Sequence, residues 1–193
     1  MKITPEQINE LIQNRRAVFP PMYNTEKKIP EDVILQLLEN ANWAPTHKLT
    51  EPWRFKIFTG ESLVRLSNFM GDFYKANTPQ ENFSELKYKK ALDNPLRSAC
   101  VIAICMQRDH GESLPEWEEI AAVACAVQNL WLTASAYGIG AYWSTPQSIY
   151  FSADFLGLKE GQKCLGFFYM GYPTEHKPVG RRRPISEKIE WMK

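Results

Sequence analysis

The segment that most constrains the fold of this chain runs from Pro115 to Tyr137, with the sequence PEWEEIAAVACAVQNLWLTASAY. It is almost wholly apolar after its first turn, and Gly138 follows it where a helix C-terminal glycine is common. A helix that is apolar on all sides must be covered from every direction. We therefore predict a central buried helix around which the rest of the chain packs.

Four segments around this helix have the composition of short strands. Ala99–Met106 is a continuous apolar run, as expected of a strand covered on both faces, and Trp53–Thr59 is aromatic and β-branched. Ile139–Ser144 and Lys163–Tyr172 predict two further strands. The sequence contains neither a GxGxxG motif after a strand nor a GxxxxGKS/T motif, which argues against a dinucleotide-binding fold and a P-loop. We therefore predict an α+β fold in which arginines hold any bound phosphate.

Several other regions are predicted to be helical, among them the N terminus and residues 73–97. Thr4, Pro5 and Gln7 combine an N-cap, a proline at the first helical position and a capping-box partner. The polar stretch from Phe73 to Arg97 indicates a helical flap over a pocket, or a surface excursion, rather than a second domain. We expect one domain that spans residues 1–193.

The charge balance and hydropathy of the chain exclude several classes of partner. Lys and Arg number 23 against 22 Asp and Glu, so the basic excess typical of a nucleic-acid-binding protein is missing. The longest clean apolar run, Ala99–Met106, is far shorter than the ~20 residues of a membrane span, and the polar N terminus does not resemble a secretory signal. We expect a soluble cytoplasmic protein with no nucleic-acid or membrane partner.

The cysteines and histidines do not form a metal-binding pattern. The four cysteines lie in apolar segments without a CxxC pair, and we expect them to be reduced core residues: Cys100, Cys105, Cys125 and Cys164. The three histidines stand without a second His or Cys at ligand spacing: His47, His110 and His176. We therefore expect no metal site.

Two clusters of arginine are candidates for a phosphate clamp. Arg15 and Arg16 follow the first predicted helix, and Arg181, Arg182 and Arg183 lie near the other end of the chain. An arginine fork pairs two N–H donors with phosphate oxygens and keeps its charge at any working pH. Runs of charge are also common on solvated surfaces, so both interpretations of each cluster stay open at this point.

The loop ANWAPTHKLTEPWRF completes a resemblance that spans nearly the whole chain. Its two prolines flank a His-Lys pair, and it leads directly into an aromatic strand. Together with the arginine clusters, the loop resembles the nitroreductase family of FMN-dependent oxidoreductases. Members of that family carry an RRS-like motif, an APxxxxxxPWxF loop and a C-terminal RxRP motif. The corresponding residues are Arg15-Arg16-Ala17, Ala44-Pro45 through Pro52-Trp53-Arg54-Phe55, and Arg181-Arg182-Arg183-Pro184.

The resemblance implies a nitroreductase-like fold. This fold has a central mixed β-sheet flanked by helices and a long buried helix at the dimer core. Two copies of the chain form an intertwined homodimer. The family often exchanges terminal segments between subunits, which makes the C-terminal ISEKIEWMK a candidate for exchange.

The resemblance also assigns residues to an FMN site. Arg15, Arg16 and Ala17 would contact the ribityl phosphate and the pyrimidine side, and Arg181 and Arg183 would complete the phosphate contacts. In a short branch of the family with an APxHK loop, the loop histidine reaches an FMN bound mainly by the partner subunit. By this resemblance, His47 would contact the flavin, with Trp43 and Lys48 as neighbours. The strand after the central helix would add Trp143, Ser144 and Thr145, which would line the isoalloxazine. For Trp143, ordinary core packing is an equally good interpretation.

Several positions depart from the pattern of the family. Ala17 replaces the usual serine, and Phe19 stands where some members have a basic residue near the flavin. Leu49 and Glu51 replace an Asn and a Gln that are common in longer members. These changes affect side-chain contacts to the pyrimidine and leave the phosphate contacts in place.

The function implied by the resemblance is that of an NAD(P)H-dependent FMN oxidoreductase. It would transfer hydride through flavin N5 in a ping-pong cycle to nitroaromatic, quinone or similar acceptors, and the protein would need no obligatory catalytic residue. Two alternatives stay open: a flavin enzyme with a different reaction, such as dehalogenation or flavin fragmentation, and a flavin-binding protein without turnover.

Overall fold

A computed structural model of the chain describes residues 2–174 and 179–193, so His176 lies outside the described residues. Its four strands form one sheet in the order β1-β2-β4-β3. They are β1 Trp53–Phe58, β2 Cys100–Gln107, β3 Gly140–Ser144 and β4 Gln162–Gly171. Each predicted strand is present, with ends that differ from the prediction by one residue at most.

Six α-helices surround the sheet in the described chain: α1 Pro5–Asn14, α2 Glu31–Asn42, α3 Glu61–Asn77, α4 Glu85–Arg97, α5 Glu116–Ala136 and α6 Ala153–Leu156. The capping box predicted at the first helix is present, since the Thr4 and Gln7 side chains bond reciprocally to the backbone. Gly138 after α5 has a φ of 71°, the left-handed conformation expected of a glycine that ends a helix.

The sheet separates two apolar cores, because side chains alternate along each strand. On one face, Ile102 and Ile104 of β2 pack with residues of α2 and α5. On the other face, Val101 and Ala103 pack with residues of α3. This explains why β2 is a continuous apolar run. The observed layers confirm the predicted α+β class.

All three strand pairs of the sheet are antiparallel, although the predicted sheet was mixed. In the described chain, the parallel pairing is an isolated bridge between Ala17 and Ala141 at the edge of β3. The backbone N–H of Val18 donates to the carbonyl of Ala141 across 2.9 Å. The segment after α1 therefore runs along the edge of the sheet.

Helix α5 is covered on one side only within a single chain. Trp117, Ala121, Cys125 and Gln128 are exposed and form a stripe, because they recur every three or four residues. The prediction that all four cysteines lie in the core is therefore wrong for Cys125. The side chains of residues 181–193 are also exposed, including those of several large apolar residues: Ile185, Ile189, Trp191 and Met192.

The stretch 73–97 is helical over most of its length, but the first of its helices begins earlier, at Glu61. Leu63, Leu66 and Met70 anchor α3 in the second core, and Leu92 of α4 packs over Gly71. In residues 2–174 and 179–193, no helix has the length and apolar composition of a membrane span. No group of three or more His, Cys, Asp or Glu in these ranges is placed to hold a metal ion.

Candidate active site

Three guanidinium groups converge on a cavity of about 350 Å³ beside α5. Arg15 and Arg16 come from the end of α1, and Arg182 comes from the C-terminal segment. The cavity is also lined by Ile12, Gln13, Gln128 and Gly180. None of its described lining residues is acidic.

Arg15 is held at this cavity by an aromatic ring. Its Cζ lies 4.5 Å from the centroid of the Trp131 ring on α5, an arrangement typical of a cation–π contact. Burial lowers the pKa of Arg15, and the charges of Arg182 and Arg16 lower it further. The cluster is therefore a place where the folded chain brings like charges together and where an anion would relieve their repulsion.

Gly180 allows the C-terminal segment to approach this cluster. A Cβ atom at this position would overlap the guanidinium of Arg16. Arg181 and Arg183, which were the predicted phosphate ligands, are exposed and do not line the cavity. Their carbonyl oxygens accept hydrogen bonds from Arg182 and Lys188. Of the three consecutive arginines, Arg182 thus lines the same cavity as Arg15. The sequence motif did not single out Arg182.

From the arginine cluster, the chain continues to a second cavity on the α4 side of the sheet. After the bridge at Ala17, the ring of Phe19 lies 4.8 Å from the ring of Tyr142 on β3. Tyr142 and Ser144 line a cavity of about 290 Å³, and the Tyr142 hydroxyl donates to Ser144 Oγ across 2.7 Å. The extended segment thus connects the guanidinium groups to an aromatic cavity.

This second cavity contains polar groups that sequence reasoning missed. Lys87 and Lys90 of α4 line it, and so does Ser148, whose buried hydroxyl has no hydrogen-bond partner among the described residues. No sequence signal distinguished these lysines, because the surrounding ELKYKK is typical of a solvated helix. Phe73 and Tyr74 of α3 close the same cavity with their rings.

The other residues predicted along the isoalloxazine have different surroundings. Trp143 packs against the first core, and its Nε1 donates to the carbonyl of Leu165 across 3.2 Å. Its indole covers Gly166, which has no room for a Cβ atom. Thr145 lines a separate cavity of about 520 Å³. Of Trp143, Ser144 and Thr145, only Ser144 lines the cavity with the lysines.

The loop after α2 is attached to the start of α5 by two contacts. His47 Nδ1 lies 2.8 Å from Glu118 Oε2, and Lys48 Nζ donates to the carbonyl of Ser113 across 3.0 Å. Lys48, Leu49 and Glu51 have φ values of 52°, 56° and 41°. Such left-handed conformations are unfavourable for residues other than glycine, and they cluster at functional sites. The loop is therefore strained and fixed in place.

The predicted site residues form two groups within one chain. His47 contacts α5 at Glu118, whereas Arg15 contacts it at Trp131. At a rise of roughly 1.5 Å per residue, these two points on the helix are about 20 Å apart. Trp43 is 79% exposed near the His47 loop, with its Nε1 donating to Glu39. A single chain therefore does not bring the loop and the arginine cluster together.

Comparisons with a family model, with related sequences and with solved structures agree with one another. A family model described as "Nitroreductase family" matches residues 12–172. The chain is 29% identical over 189 residues to a protein of Bacillus subtilis (strain 168) whose provisional name is NAD(P)H nitroreductase YfhC, with 96% of this chain and 94% of YfhC covered. The crystal structure of a nitroreductase-like family protein from Bacillus cereus is similar with a TM-score of 0.79 and 29% identity, and the match covers 100% of this chain and 99% of that one. The FMN-dependent nitroreductase NfnB from Mycobacterium smegmatis, solved in complex with NADPH, has the same fold with a TM-score of 0.75 and 16% identity, over 96% and 98% of the two chains.

Proposed function

The chain belongs to the nitroreductase family, and we propose that it is an NAD(P)H-dependent FMN oxidoreductase whose flavin lies between two copies of the chain. The names of YfhC and NfnB support the use of NAD(P)H and FMN. The observation that carries the proposal is the cavity that Arg15, Arg16 and Arg182 line together.

The chemistry of this cavity fits the phosphate of FMN. A phosphate monoester carries a charge of about −1.5 to −2 near neutral pH, and guanidinium forks bind its oxygens with two parallel N–H donors. Gln13 and Gln128 add amide donors at the same cavity. Because Trp131 already holds Arg15, less side-chain freedom would be lost when the phosphate binds.

The segment from Arg15 to Phe19 indicates where the rest of the cofactor would lie. It runs along the edge of β3 towards Tyr142 and Ser144, where the second cavity would receive the ring system. When bound, FMN accepts hydride from NAD(P)H and passes the electrons to a second substrate. Side chains that can stabilise added negative charge should therefore face this cavity.

Lys87 and Lys90 are the residues suited to that role. They line the second cavity, and a fixed positive charge there would stabilise a reduced, anionic ring. This arrangement would compensate for Phe19, which stands where some family members have a basic residue. The stretch 73–97 would then act as the predicted flap, with Phe73 and Tyr74 over the cavity.

A second copy of the chain would complete the site. The exposed stripe on α5 and the exposed C-terminal segment are surfaces that a second copy can cover. The separation of about 20 Å between the contacts of His47 and Arg15 on α5 supports a site in which the two residues come from different copies. We therefore assign His47, with Lys48 and Trp43 nearby, to the flavin held by the arginines of the partner.

An anaerobic absorbance experiment tests this function. The protein reconstituted with FMN should show a flavin band that NADH or NADPH bleaches and that a nitroaromatic compound or a quinone restores. A bound flavin that neither nucleotide bleaches would contradict the oxidoreductase proposal and favour a binding protein. Reoxidation by one narrow class of acceptor alone would favour a different flavin reaction, such as dehalogenation. The cytoplasmic location stays a prediction.

A further inference from the structure

Cys105 and Cys164 face each other across the two central strands of the sheet. They are register partners between β2 and β4, next to a bulge at Ile104/Cys105, and both side chains belong to the second core. Directly opposed residues in antiparallel strands have Cα atoms about 4.5 to 5.5 Å apart, within the range of about 4.4 to 6.8 Å that disulfides span. The two thiols are also near enough to each other that each shifts the pKa of the other. The two sulfur atoms are thus placed to form a bond with little backbone movement.

One of the two thiols can be reached from solvent. Cys164 lines the cavity of about 520 Å³ together with Thr145, Tyr150 and Lys163. Cys105 lies behind it and has no exposed surface. A small reagent that enters this cavity would therefore meet Cys164 first.

The surroundings of the pair favour the same order of reaction. The neighbouring thiol of Cys105 lowers the pKa of Cys164. The thiolate is the reactive form of cysteine, so Cys164 is the better nucleophile of the two. The remaining cysteines differ, because burial raises the pKa of Cys100 to about 12 and Cys125 is exposed on α5.

We propose that Cys105 and Cys164 form a dithiol that a hydroperoxide converts into a disulfide. The sulfur of Cys164 attacks the peroxide, so that an S–O bond forms, the O–O bond breaks and, with hydrogen peroxide, one water leaves. The sulfur of Cys105 then displaces the oxygen from Cys164, which forms the S–S bond and releases a second water. Two thiols lose two electrons and two protons, and the peroxide is reduced to two waters. This proposal does not depend on the proposed oxidoreductase function.

Intact-mass analysis of the purified flavoprotein tests the proposal. After treatment with hydrogen peroxide, the unfolded, unreduced chain should be lighter by two hydrogen atoms, and dithiothreitol should reverse the change. The loss should disappear in Cys105→Ser and in Cys164→Ser. It should persist in the matched variants Cys100→Ser and Cys125→Ser.

Trapping of the first product tests the order of reaction. In Cys105→Ser, dimedone should label Cys164 as the sulfenic acid after peroxide treatment. Peptide mapping of the wild-type protein should identify a Cys105–Cys164 cross-link directly, which keeps the test valid if a variant folds poorly. Oxidation of Cys125 alone, or a loss of two hydrogens that persists in Cys164→Ser, would overturn the proposal.

Discussion

The guanidinium of Arg15 lies over the indole of Trp131, with its Cζ 4.5 Å from the ring centroid. This contact joins the end of α1 to the C-terminal part of α5. The Nε1 of Trp131 is buried without a hydrogen-bond partner among the described residues, so the ring acts through its face and its packing against Phe168. Trp131 therefore orients a charged side chain at the proposed phosphate site.

Replacing the ring should weaken FMN binding. A cation–π contact contributes about 0.5 to 2 kcal/mol, so Trp131→Leu should raise the Kd for FMN by about 2- to 30-fold. Trp131→Phe keeps an aromatic face and should lose less FMN affinity than Trp131→Leu does. Titration of the apoprotein with FMN, followed by flavin fluorescence, measures both values. An unchanged Kd in Trp131→Leu would show that the ring does not hold Arg15 for the phosphate.

The three consecutive arginines should differ in their effect on FMN. Hydrogen bonds to charged groups contribute about 1.5 to 3 kcal/mol, so Arg182→Ala should raise the Kd by about 10- to 150-fold. Arg181→Ala should have little effect, because Arg181 does not line the arginine cavity. If Arg183→Ala instead of Arg182→Ala weakens FMN binding, the motif-based assignment of Arg183 is the correct one.

A charge on the exposed stripe of α5 should separate the two copies. Cys125 lies within this stripe, so Cys125→Arg would place an unpaired charge in the proposed interface. Light scattering should show a monomer that has also lost FMN affinity. Cys125→Ala is the matched control and should remain a dimer. A dimeric Cys125→Arg would show that this face is not the interface.

Two buried tyrosines should make the protein less stable at alkaline pH. Burial raises the pKa of Tyr23 and Tyr169. Above about pH 10 the unfolded chain loses these protons while the folded chain keeps them, so the free energy of unfolding falls as pH rises. Each tyrosine contributes up to about 1.4 kcal/mol per pH unit to this fall.

Denaturant unfolding of Tyr169→Phe across this pH range measures the contribution of one tyrosine. The variant should lose stability less steeply with rising pH than the wild type. Tyr150→Phe, at an exposed position, should behave as the wild type does. Equal slopes for Tyr169→Phe and the wild type would show that Tyr169 does not contribute.

The sequence predicted the strands and several helix ends, because local patterns determine them, but it did not predict the first part of α3 from Glu61. The apolar run of β2, the capping box at Thr4 and Gln7, and Gly138 after α5 all have the predicted structure. Strand direction does not follow from such patterns, and the mixed sheet that the family resemblance implied differs from the four antiparallel strands of this chain. The exposure of Cys125 was missed because an apolar helix face looks the same in sequence whether its own chain or a second copy covers it.

The site could be predicted only in part, because side-chain direction depends on tertiary contacts. Motif spacing identified Arg15 and Arg16, but it could not tell which of three consecutive arginines turns towards them. Lys87 and Lys90 reach a cavity only because α4 folds back on α3. In sequence they belong to a polar stretch without any motif.

The most direct test of the account is the amount of FMN bound by a mixed dimer. One copy carries Arg182→Ala, the other carries His47→Asp, and two affinity tags isolate the mixed species. If each site combines the arginines of one copy with His47 of the other, the mixed dimer has one doubly altered site and one intact site. It should then bind one FMN with wild-type affinity, whereas each variant homodimer binds weakly at both sites. A mixed dimer without any tight site would contradict the account, because each copy would then supply both groups to its own flavin.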